Sequence, residues 1–350
     1  MNIFFDTRPG EVYDIFLSLW LANNFEYANE EKREYGITKD TNFEEKIKSI
    51  RTNNKIDIKS LERYFNKEID PTQILCLSSM WHNPTLDKYL NYVSNIDEMK
   101  LRKLIIKLVT SKEVDENDSE DEMEGLSLNN TTVLNYIDNK DINVAIKWEI
   151  FRLLNNKQKY FLDFTTFINE YLHTYKHLEK ERKKEIDKFN NEFKKNIEEQ
   201  GIRYLEEFTN KYIDFCKYEN IFISSSVLIG ITVEMEPEEK SCYVLIGPRT
   251  KDIVKSTVGK NEIEKKLMVF KNISDSTRFQ IMKTLVDKDY YGVELAKAFG
   301  ITKATVSRHM DFLLLTGVVR VERKDHRAYY SLDKNVLRKT IEFLTREFKL

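Results

Sequence analysis

Residues 292–317 read GVELAKAFGITKATVSRHMDFLLLTG and decide the fold of the C-terminal part of the chain. Two helical segments are separated by Gly300, Ile301 and Thr302. In this short turn a glycine supplies a left-handed backbone conformation and a threonine caps the following helix. Gly317 ends the second segment. Two helices joined by such a turn predict a helix-turn-helix.

The second of these helices has an apolar side and a polar side. Val306, Met310 and Leu313 recur at i, i+4 and i+7, which predicts that they anchor the helix in a core. Small, hydroxyl-bearing and basic residues cover the rest of its N-terminal half, and these suit a helix that enters the major groove of duplex DNA. The candidate DNA-binding residues of the helix and its cap are Thr302, Lys303, Ala304, Thr305, Ser307, Arg308 and His309. The lateral position of His309 fits either a DNA contact or local packing.

A β-hairpin is predicted directly after Gly317, with strands at 318–321 and 328–332. Its basic tip fits a phosphate or minor-groove contact. The candidate DNA-binding residues there are Arg323, Lys324, His326 and Arg327. Tyr329 and Tyr330 alternate along the second strand, so one is expected in the core and the other towards DNA. Tyr329 is counted with the DNA-binding candidates.

Three further helices are predicted around this motif. The first carries an apolar stripe of Ile263, Leu267 and Phe270, and Ser274-Asp275 caps the second. The second is predicted to bury Phe279, Met282, Leu285 and Val286. The last helix, over 333–350, has a single apolar stripe formed by Leu337, Ile341, Leu344 and Phe348. That stripe fits either a dimer contact or packing within its own domain, because an amphipathic stripe alone does not identify its partner.

The stretch 270–332 resembles the ArsR-type winged-helix regulators. The resemblance rests on FKNISDSTRF at 270–279, VELA at 293–296, TKATVSRHM at 302–310, LTGVVRVER at 315–323 and AYYSL at 328–332. It implies a homodimer that binds a palindromic DNA operator, with 303–316 in the major groove and 333–350 as the dimerisation helix. We expect this regulator to be a repressor. Tyr291 and Val293 stand where metal-sensing members carry cysteines, so we expect neither a metal nor a cofactor.

Charge is divided unevenly along the chain. Residues 260–350 contain 19 Lys and Arg against 12 Asp and Glu, whereas the remainder contains 37 against 46. This asymmetry indicates a polyanionic partner for the C-terminal part alone. Cys76, Cys216 and Cys242 are too few and too widely spaced for a disulfide frame, and no run is long and apolar enough to span a membrane. The first residues also lack a signal-peptide pattern, so we expect a cytoplasmic protein without membrane attachment.

The fold class is predicted as mainly α (α+β), with a helical N-terminal domain that carries a β-hairpin ahead of the winged helix-turn-helix. Residues 1–250 form the predicted sensor or dimerisation domain, 251–260 a linker, and 261–350 the DNA-binding domain. The predicted N-terminal helices are 11–28, 56–66, 71–81, 85–95, 97–110, 141–156, 159–172, 170–199 and 202–218. The hairpin is predicted from 221–235 and 241–247. The segment 113–124, with eight acidic residues, is predicted as a solvated loop.

The N-terminal domain carries little chemistry that a sequence can reveal. It has no nucleophile elbow and no Gly-rich phosphate loop, so we do not expect an enzyme. His173 and His177 have a metal-binding spacing but lack further ligands, and a solvated pair is the simpler interpretation. The leading hypothesis is a DNA-binding transcription regulator whose N-terminal domain responds to a small-molecule effector or a partner. The alternative is an enzyme or scaffold whose winged helix is a protein-interaction module.

Overall fold

The computed structural model describes residues 1–34, 41–52, 56–66, 77–110, 125–140, 142–209, 215–228, 231–236, 239–251, 262–301, 303–324 and 327–350. These residues form two compact units. The first comprises Met1–Ile105 and Ser127–Ile253, and the second comprises Val254–Leu350 with Ile106–Leu126. The predicted acidic loop 113–124, the linker residues 252–260, Thr302 and His326 lie outside the described residues.

Helices dominate the chain up to residue 251. They are α1 (Arg8–Glu34), α2 (Asn42–Thr52), α3 (Ile58–Tyr64), α4 (Leu77–His82), α5 (Leu86–Ser94), α6 (Glu98–Thr110), α7 (Asn130–Asp138), α8 (Val144–Asn155), α9 (Lys157–Gln200) and α10 (Ile202–Phe208). A short 3₁₀ helix, Phe215–Lys217, follows α10. The predicted helices 159–172 and 170–199 are one helix of 44 residues, because buried residues recur on one face throughout α9 and no breaker precedes Gly201. The predicted helix 202–218 is wrong in extent, since α10 ends at Phe208.

A four-stranded mixed sheet lies in the first unit, with strand order β1-β2-β4-β3. Its strands are β1 (Asn2–Phe5), β2 (Asn220–Ser225), β3 (Ile231–Glu236) and β4 (Ser241–Ile246). The antiparallel hairpin joins β3 to β4, while β2 runs parallel to both β4 and β1. The predicted strand 221–235 is therefore two strands, and β1 was not predicted. The four residues of β1 pair with Asn220–Ile223, a partner more than two hundred residues away that no local pattern reveals.

Both faces of this sheet are packed against helices. One face places Ile221 and Ile223 against Phe193 of α9 and Phe208 of α10. The opposite face carries stacked rings, with Phe222 between Phe4 and Tyr243 at centroid distances of 5.0 and 4.9 Å. Aromatic burial of this kind explains why the Tyr- and Phe-rich N-terminal sequence forms a core.

A buried ion pair joins α1 to α9. Arg182 Nε donates to Asp14 Oδ2 at 2.6 Å, and both side chains are almost fully buried. Asp14 also accepts hydrogen bonds from the Ser226 hydroxyl and from the backbone N–H of Val227, just beyond β2. The carboxylate thus links two helices to the end of a strand, and these three donors offset the cost of burying its charge.

The second unit is a helix-turn-helix with a β-hairpin. Its helices are α11 (Glu262–Ser274), α12 (Ser276–Thr284), α13 (Gly292–Phe299), α14 (Lys303–Leu315) and α15 (Lys334–Phe348). Strands β5 (Tyr290–Tyr291), β6 (Val319–Lys324) and β7 (Arg327–Leu332) form a sheet of order β5-β7-β6. Asp275 caps α12 as predicted. The predicted mainly helical fold with a C-terminal winged helix-turn-helix is confirmed.

Two residues that the sequence predicted as buried around α12 are exposed. Met282 and Leu285 are buried, and Ile281 joins them in the core, but Phe279 and Val286 are exposed. Consecutive helical positions lie about 100° apart, so a stripe that contains Ile281 and Met282 leaves Phe279 at its margin. Val286 lies beyond Thr284, where α12 ends.

Candidate nucleic-acid interface

The helix α14 is seated in the core through its apolar side. Val306, Met310 and Leu313 are almost completely buried, as the sequence predicts. Gly300, with φ of 62°, turns the chain between α13 and α14. Its N–H and that of Ile301 both donate to Ala296 O. The orientation of α14 about its own axis is therefore fixed by three core side chains and by the turn that precedes them.

The C-terminal end of α14 is held by a buried amide from α11. Asn272 Nδ2 donates to Phe312 O at 3.1 Å and to Thr316 Oγ1 at 2.8 Å. The guanidinium of Arg278 lies over the Phe312 ring at 4.7 Å. These contacts tie α14 to α11 and α12, so that its N-terminal half projects from a rigid base.

The candidate residues Lys303, Ala304, Thr305, Ser307, Arg308 and His309 all lie on the first two turns of α14. With about 100° between successive residues, Ala304 and Arg308 lie on the side opposite the Val306–Met310 stripe. His309 lies beside that stripe, and its side chain is half-buried, as are those of Thr305 and Arg308. These residues therefore lie together at the N-terminal end of α14. Thr302 lies outside the described residues.

The hairpin β6–β7 is longer than predicted. Its pairs continue through Arg323↔Ala328 to Lys324↔Arg327, so three candidate cations lie at the ends of paired strands and only residues 325–326 connect them. The predicted strand limits, 321 and 328, and the assignment of these cations to a loop are wrong. Cross-strand pairing favours the extended form over a loose tip because each added pair supplies backbone hydrogen bonds.

An exposed ion pair closes the base of the hairpin. Arg320 Nε donates to Asp333 Oδ2 at 2.8 Å. Burial acts to raise the pKa of the Asp333 carboxyl, but hydrogen bonds from Arg320 and from the backbone outweigh it, and the pKa lies below its ordinary value. Asp333 also accepts from Asn335 N and thereby caps α15. The hairpin and the last helix are therefore joined at one carboxylate.

The two tyrosines of β7 have different surroundings. Tyr330 packs against the core of the second unit. The Tyr329 ring lies against Tyr291, with centroids 5.6 Å apart and planes at 64°. Because Tyr290 and Tyr291 form β5, this contact fixes the hairpin to the strand that leads into α13. A DNA contact by Tyr329 stays a prediction.

Exposed apolar side chains lie on the first and last helices of the second unit. Ile341 and Phe348 of α15 are 65% and 70% exposed, and Ile263 and Leu267 of α11 are 52% and 54% exposed. We call these four side chains the terminal apolar face. The predicted apolar stripe of α11 is therefore largely exposed at Ile263 and Leu267. Lys266 Nζ donates to Thr340 Oγ1 at 3.3 Å, which links the two helices.

The other members of the predicted C-terminal stripe lie deeper. Leu337 packs against the core of its own unit, and Leu344 is half-buried. The stripe of α15 therefore divides between packing within the unit and exposure. Its angular pattern in the sequence did not distinguish the two.

Neither a metal cluster nor a membrane span is found where the structure is described. No group of three or more His, Cys, Asp or Glu side chains in the described residues is arranged to hold a metal ion. His173 and His177 are both exposed on α9. No helix in the same residues combines the length and apolar character needed to cross a bilayer.

Comparison with known proteins locates the second unit in a family. Residues 275–321 match the family model described as bacterial regulatory protein, arsR family. The transcriptional repressor SdpR of Bacillus subtilis is 37% identical over 76 residues, which are 22% of this chain and 84% of the repressor. The chain belongs to the ArsR family. The HTH-type transcriptional regulator KmtR of Mycobacterium tuberculosis is 30% identical over 73 residues, 21% of this chain and 56% of KmtR.

Solved structures also match about a quarter of this ArsR-family chain. HlyU from Vibrio cholerae is 22% identical, covers 26% of this chain and 99% of its own, and has a TM-score of 0.22. The homodimeric winged helix-turn-helix DNA-binding domain of Mb0332 from Mycobacterium bovis is 22% identical, with coverages of 26% and 90% and a TM-score of 0.22. By its family, this chain is a DNA-binding transcription regulator.

Proposed function

We propose that this ArsR-family chain is a repressor that binds a palindromic operator as a homodimer. The observation that carries the proposal is the seating of α14, in which Val306, Met310 and Leu313 fill the core. That seating leaves the Ala304–Arg308 side of the helix for the major groove. Two such helices, one from each copy, would enter successive grooves about 34 Å apart.

The hairpin supports the proposal because its cations follow the recognition helix directly. Arg323, Lys324 and Arg327 lie at the paired strand ends beyond α14. Lysine is depleted from protein–protein interfaces although arginine is not, whereas phosphate contacts are made by clusters of both residues. DNA therefore explains this hairpin better than a protein partner does.

The terminal apolar face supports the homodimer. Four large apolar side chains on two packed helices are exposed to solvent in a single copy, and burying them against a second copy would remove apolar area from water. The resemblance of 270–332 to ArsR-type regulators also implies a homodimer. In an isologous interface the same face of each copy would meet across a two-fold axis.

The N-terminal unit is proposed as the sensor, without an enzymatic role. The matches to relatives cover about a fifth of this chain, and the family model matches residues 275–321. A small-molecule effector or a protein partner would bind the N-terminal unit and shift the population of DNA-competent dimers. With the chromosome as its target, we place the protein in the cytoplasm.

Genomic occupancy followed by quantitative binding tests this function. Arg308→Ala should weaken binding to the recovered operator by about 10- to 100-fold, the worth of one good base or charged contact. Reversing Arg323, Lys324 and Arg327 to Glu should also flatten the salt dependence, by about 0.9 in the logarithmic slope for each phosphate that is no longer neutralised.

The matched control reverses Lys188, Lys194 and Lys195 to Glu, because these exposed lysines of α9 lie outside the second unit. This control should retain the affinity and the salt slope of the wild type. Operator binding by the Arg308 and hairpin variants that equals wild type at about 150 mM salt would refute the assigned DNA face. Recovery of a protein partner with no enriched DNA would refute the function itself.

A further inference from the structure

The first unit ends in a tightly held segment, Gly247–Lys251, directly before residues 252–260, which lead towards the DNA-binding unit. We call this segment the linker anchor. Gly247 N–H donates to Thr250 Oγ1 at 3.0 Å, and Thr250 N–H donates to Gly247 O at 3.0 Å. Thr250 is completely buried. The anchor is therefore a closed turn in which the Thr250 hydroxyl, rather than water, accepts the hydrogen bond from Gly247 N–H.

A buried ion pair fixes the anchor to α2. Arg249 Nη1 donates to Glu44 Oε1 at 2.8 Å, and Nη2 donates to the second carboxylate oxygen. The Glu44 carboxylate is excluded from solvent, and Arg249 is nearly so. A bidentate pair of this kind has a defined geometry, and loss of one partner leaves the other charge desolvated. Intermediate positions of the anchor are therefore unfavourable.

Glu44 is itself positioned by α9. It lies in the first turn of α2, where its carboxylate accepts from Thr41 N at 2.8 Å and its N–H donates to Thr41 Oγ1 at 3.2 Å. Glu185 of α9 accepts from Phe43 N at 3.1 Å. Contacts therefore run from α9 through the start of α2 to Arg249 at the anchor.

The last residue of the anchor contacts a second element. Lys251 Nζ lies 5.3 Å from the centroid of the Phe208 ring and 5.8 Å from that of Tyr204, both on α10. Cation–π contacts at these distances are attractive. The anchor is thus held at three positions, by its own turn, by α2 and by α10.

We propose that the Glu44–Arg249 pair is a coupling device, which fixes the point where the linker leaves the sensor unit and transmits displacements of α2 or α9 to the DNA-binding unit. This inference rests on the proposed function, because coupling requires a DNA-binding equilibrium that the anchor biases. Freeing the anchor gives residues 247–251 more conformations to lose on DNA binding, and the affinity should fall.

Neutralising the pair in the full-length protein tests this role. The double variant Glu44→Gln/Arg249→Gln removes both charges and avoids a lone buried charge. Hydrogen exchange of the Arg249, Thr250 and Lys251 amides should accelerate by roughly tenfold or more, with exchange in β2 and β4 unchanged. Affinity for the duplex recovered from genomic occupancy should fall by about fivefold or more, the usual lower bound of a coupling effect.

The control and the second variant keep the test decisive. Arg203→Gln/Glu207→Gln removes an exposed ion pair of α10 and should change neither readout. Arg249→Lys keeps the charge but loses the bidentate geometry, so it should give intermediate effects even if the double variant fails to fold.

Three outcomes would overturn the proposal. Unchanged exchange at Arg249, Thr250 and Lys251 would show that the pair does not hold the anchor. Faster exchange with wild-type DNA affinity would show a purely structural role. A wild type that binds no duplex DNA would refute the proposed function and the coupling together, while the exchange measurement would still report whether the anchor is held.

Discussion

Glu181 and Glu185 lie one turn apart on α9, yet their surroundings shift their pKa values in opposite directions. Hydrogen bonds from Lys184 and Lys46 lower the pKa of Glu181 below its ordinary value. Burial raises the pKa of Glu185, and its hydrogen bonds with Phe43 N and Thr41 offset that effect only in part. Neighbouring positions on one helix therefore contribute to stability with opposite dependence on pH.

Neutral variants of these two residues should change the free energy of unfolding in opposite directions. Glu185 favours its protonated form in the folded state, so its contribution is lost as pH rises through the raised pKa. Glu185→Gln should therefore increase the free energy of unfolding at pH 7. The surroundings of Glu181 stabilise its ionised carboxylate in the folded state. Glu181→Gln should therefore lower the free energy of unfolding at neutral pH. Denaturant unfolding between about pH 4 and 8 measures both differences.

Both differences should shrink as the pH falls. Wild-type Glu185 is already protonated in the folded state at low pH, where the glutamine variant loses its advantage. The contribution of Glu181 is lost as the pH falls through its lowered pKa. Variants with the same sign at pH 7, or differences that grow on acidification, would contradict this electrostatic interpretation.

Single-residue exposure was the least predictable property of the chain. Ile263 and Leu267 lie on the predicted apolar stripe of α11, and Phe279 was predicted to be buried, yet all three are exposed. Periodicity reports that a helix has an apolar side, but it does not report whether that side meets its own core or a second copy. The inward residues of α14 were predictable because the polar groups on its other side left only one orientation.

At the scale of the element, the buried amide of Asn272 should decide how firmly α14 is held. Asn272→Ala removes donors to Phe312 O and Thr316 Oγ1 and should cost about 1–2 kcal/mol of unfolding free energy, since each net hydrogen bond contributes about 1 kcal/mol. Looser seating should also weaken operator binding. Ser274→Ala, which removes an exposed hydroxyl bonded to Lys271 O on the same helix, is the control. Equal stabilities of the two variants would contradict this role.

Secondary-structure elements were predictable where their pattern was local. The turn at Gly300–Thr302 and the extent of α14 follow from glycine, threonine and apolar spacing within a short window. Strand β1 did not, because its four residues gain their hydrogen bonds from β2 at the other end of the unit. The predicted helices 159–172 and 170–199 overlap, and the structure joins them as α9, since nothing between Lys157 and Gln200 interrupts the backbone.

The proposed dimer depends on α11 and α15, and it gives a prediction at the same scale. Ile341→Asp places a charge in the terminal apolar face and should convert the dimer to a monomer at micromolar concentration, because a buried unpaired charge is strongly unfavourable. Lys339→Asp changes the charge more but lies on the opposite side of α15, and it should leave the dimer intact. Analytical ultracentrifugation separates these outcomes. A dimeric Ile341→Asp variant would exclude this face as the interface.

At the scale of the whole molecule, the charge asymmetry and the packed cores both separate a basic C-terminal unit from an acidic N-terminal unit. The basic surplus lies in the unit whose core is formed by Val306, Met310 and Leu313. The acidic remainder contains the sheet and the long helix, with a separate core around Phe193 and Ile223. The boundary near residues 251–260 stays a prediction, which the stability of each core can test.

Two separate cores predict two unfolding transitions in the full chain. Leu313→Ala opens a cavity only in the DNA-binding unit, and Ile223→Ala opens one only in the sensor unit. Each should cost about 2–5 kcal/mol. Because a unit of about 100 residues loses roughly 4–8 °C of Tm per kcal/mol and a larger one about half as much, Leu313→Ala should shift its own transition further. In calorimetry each variant should lower one transition and leave the other in place. One coincident transition that both variants lower equally would mean that the two units unfold as a single cooperative body.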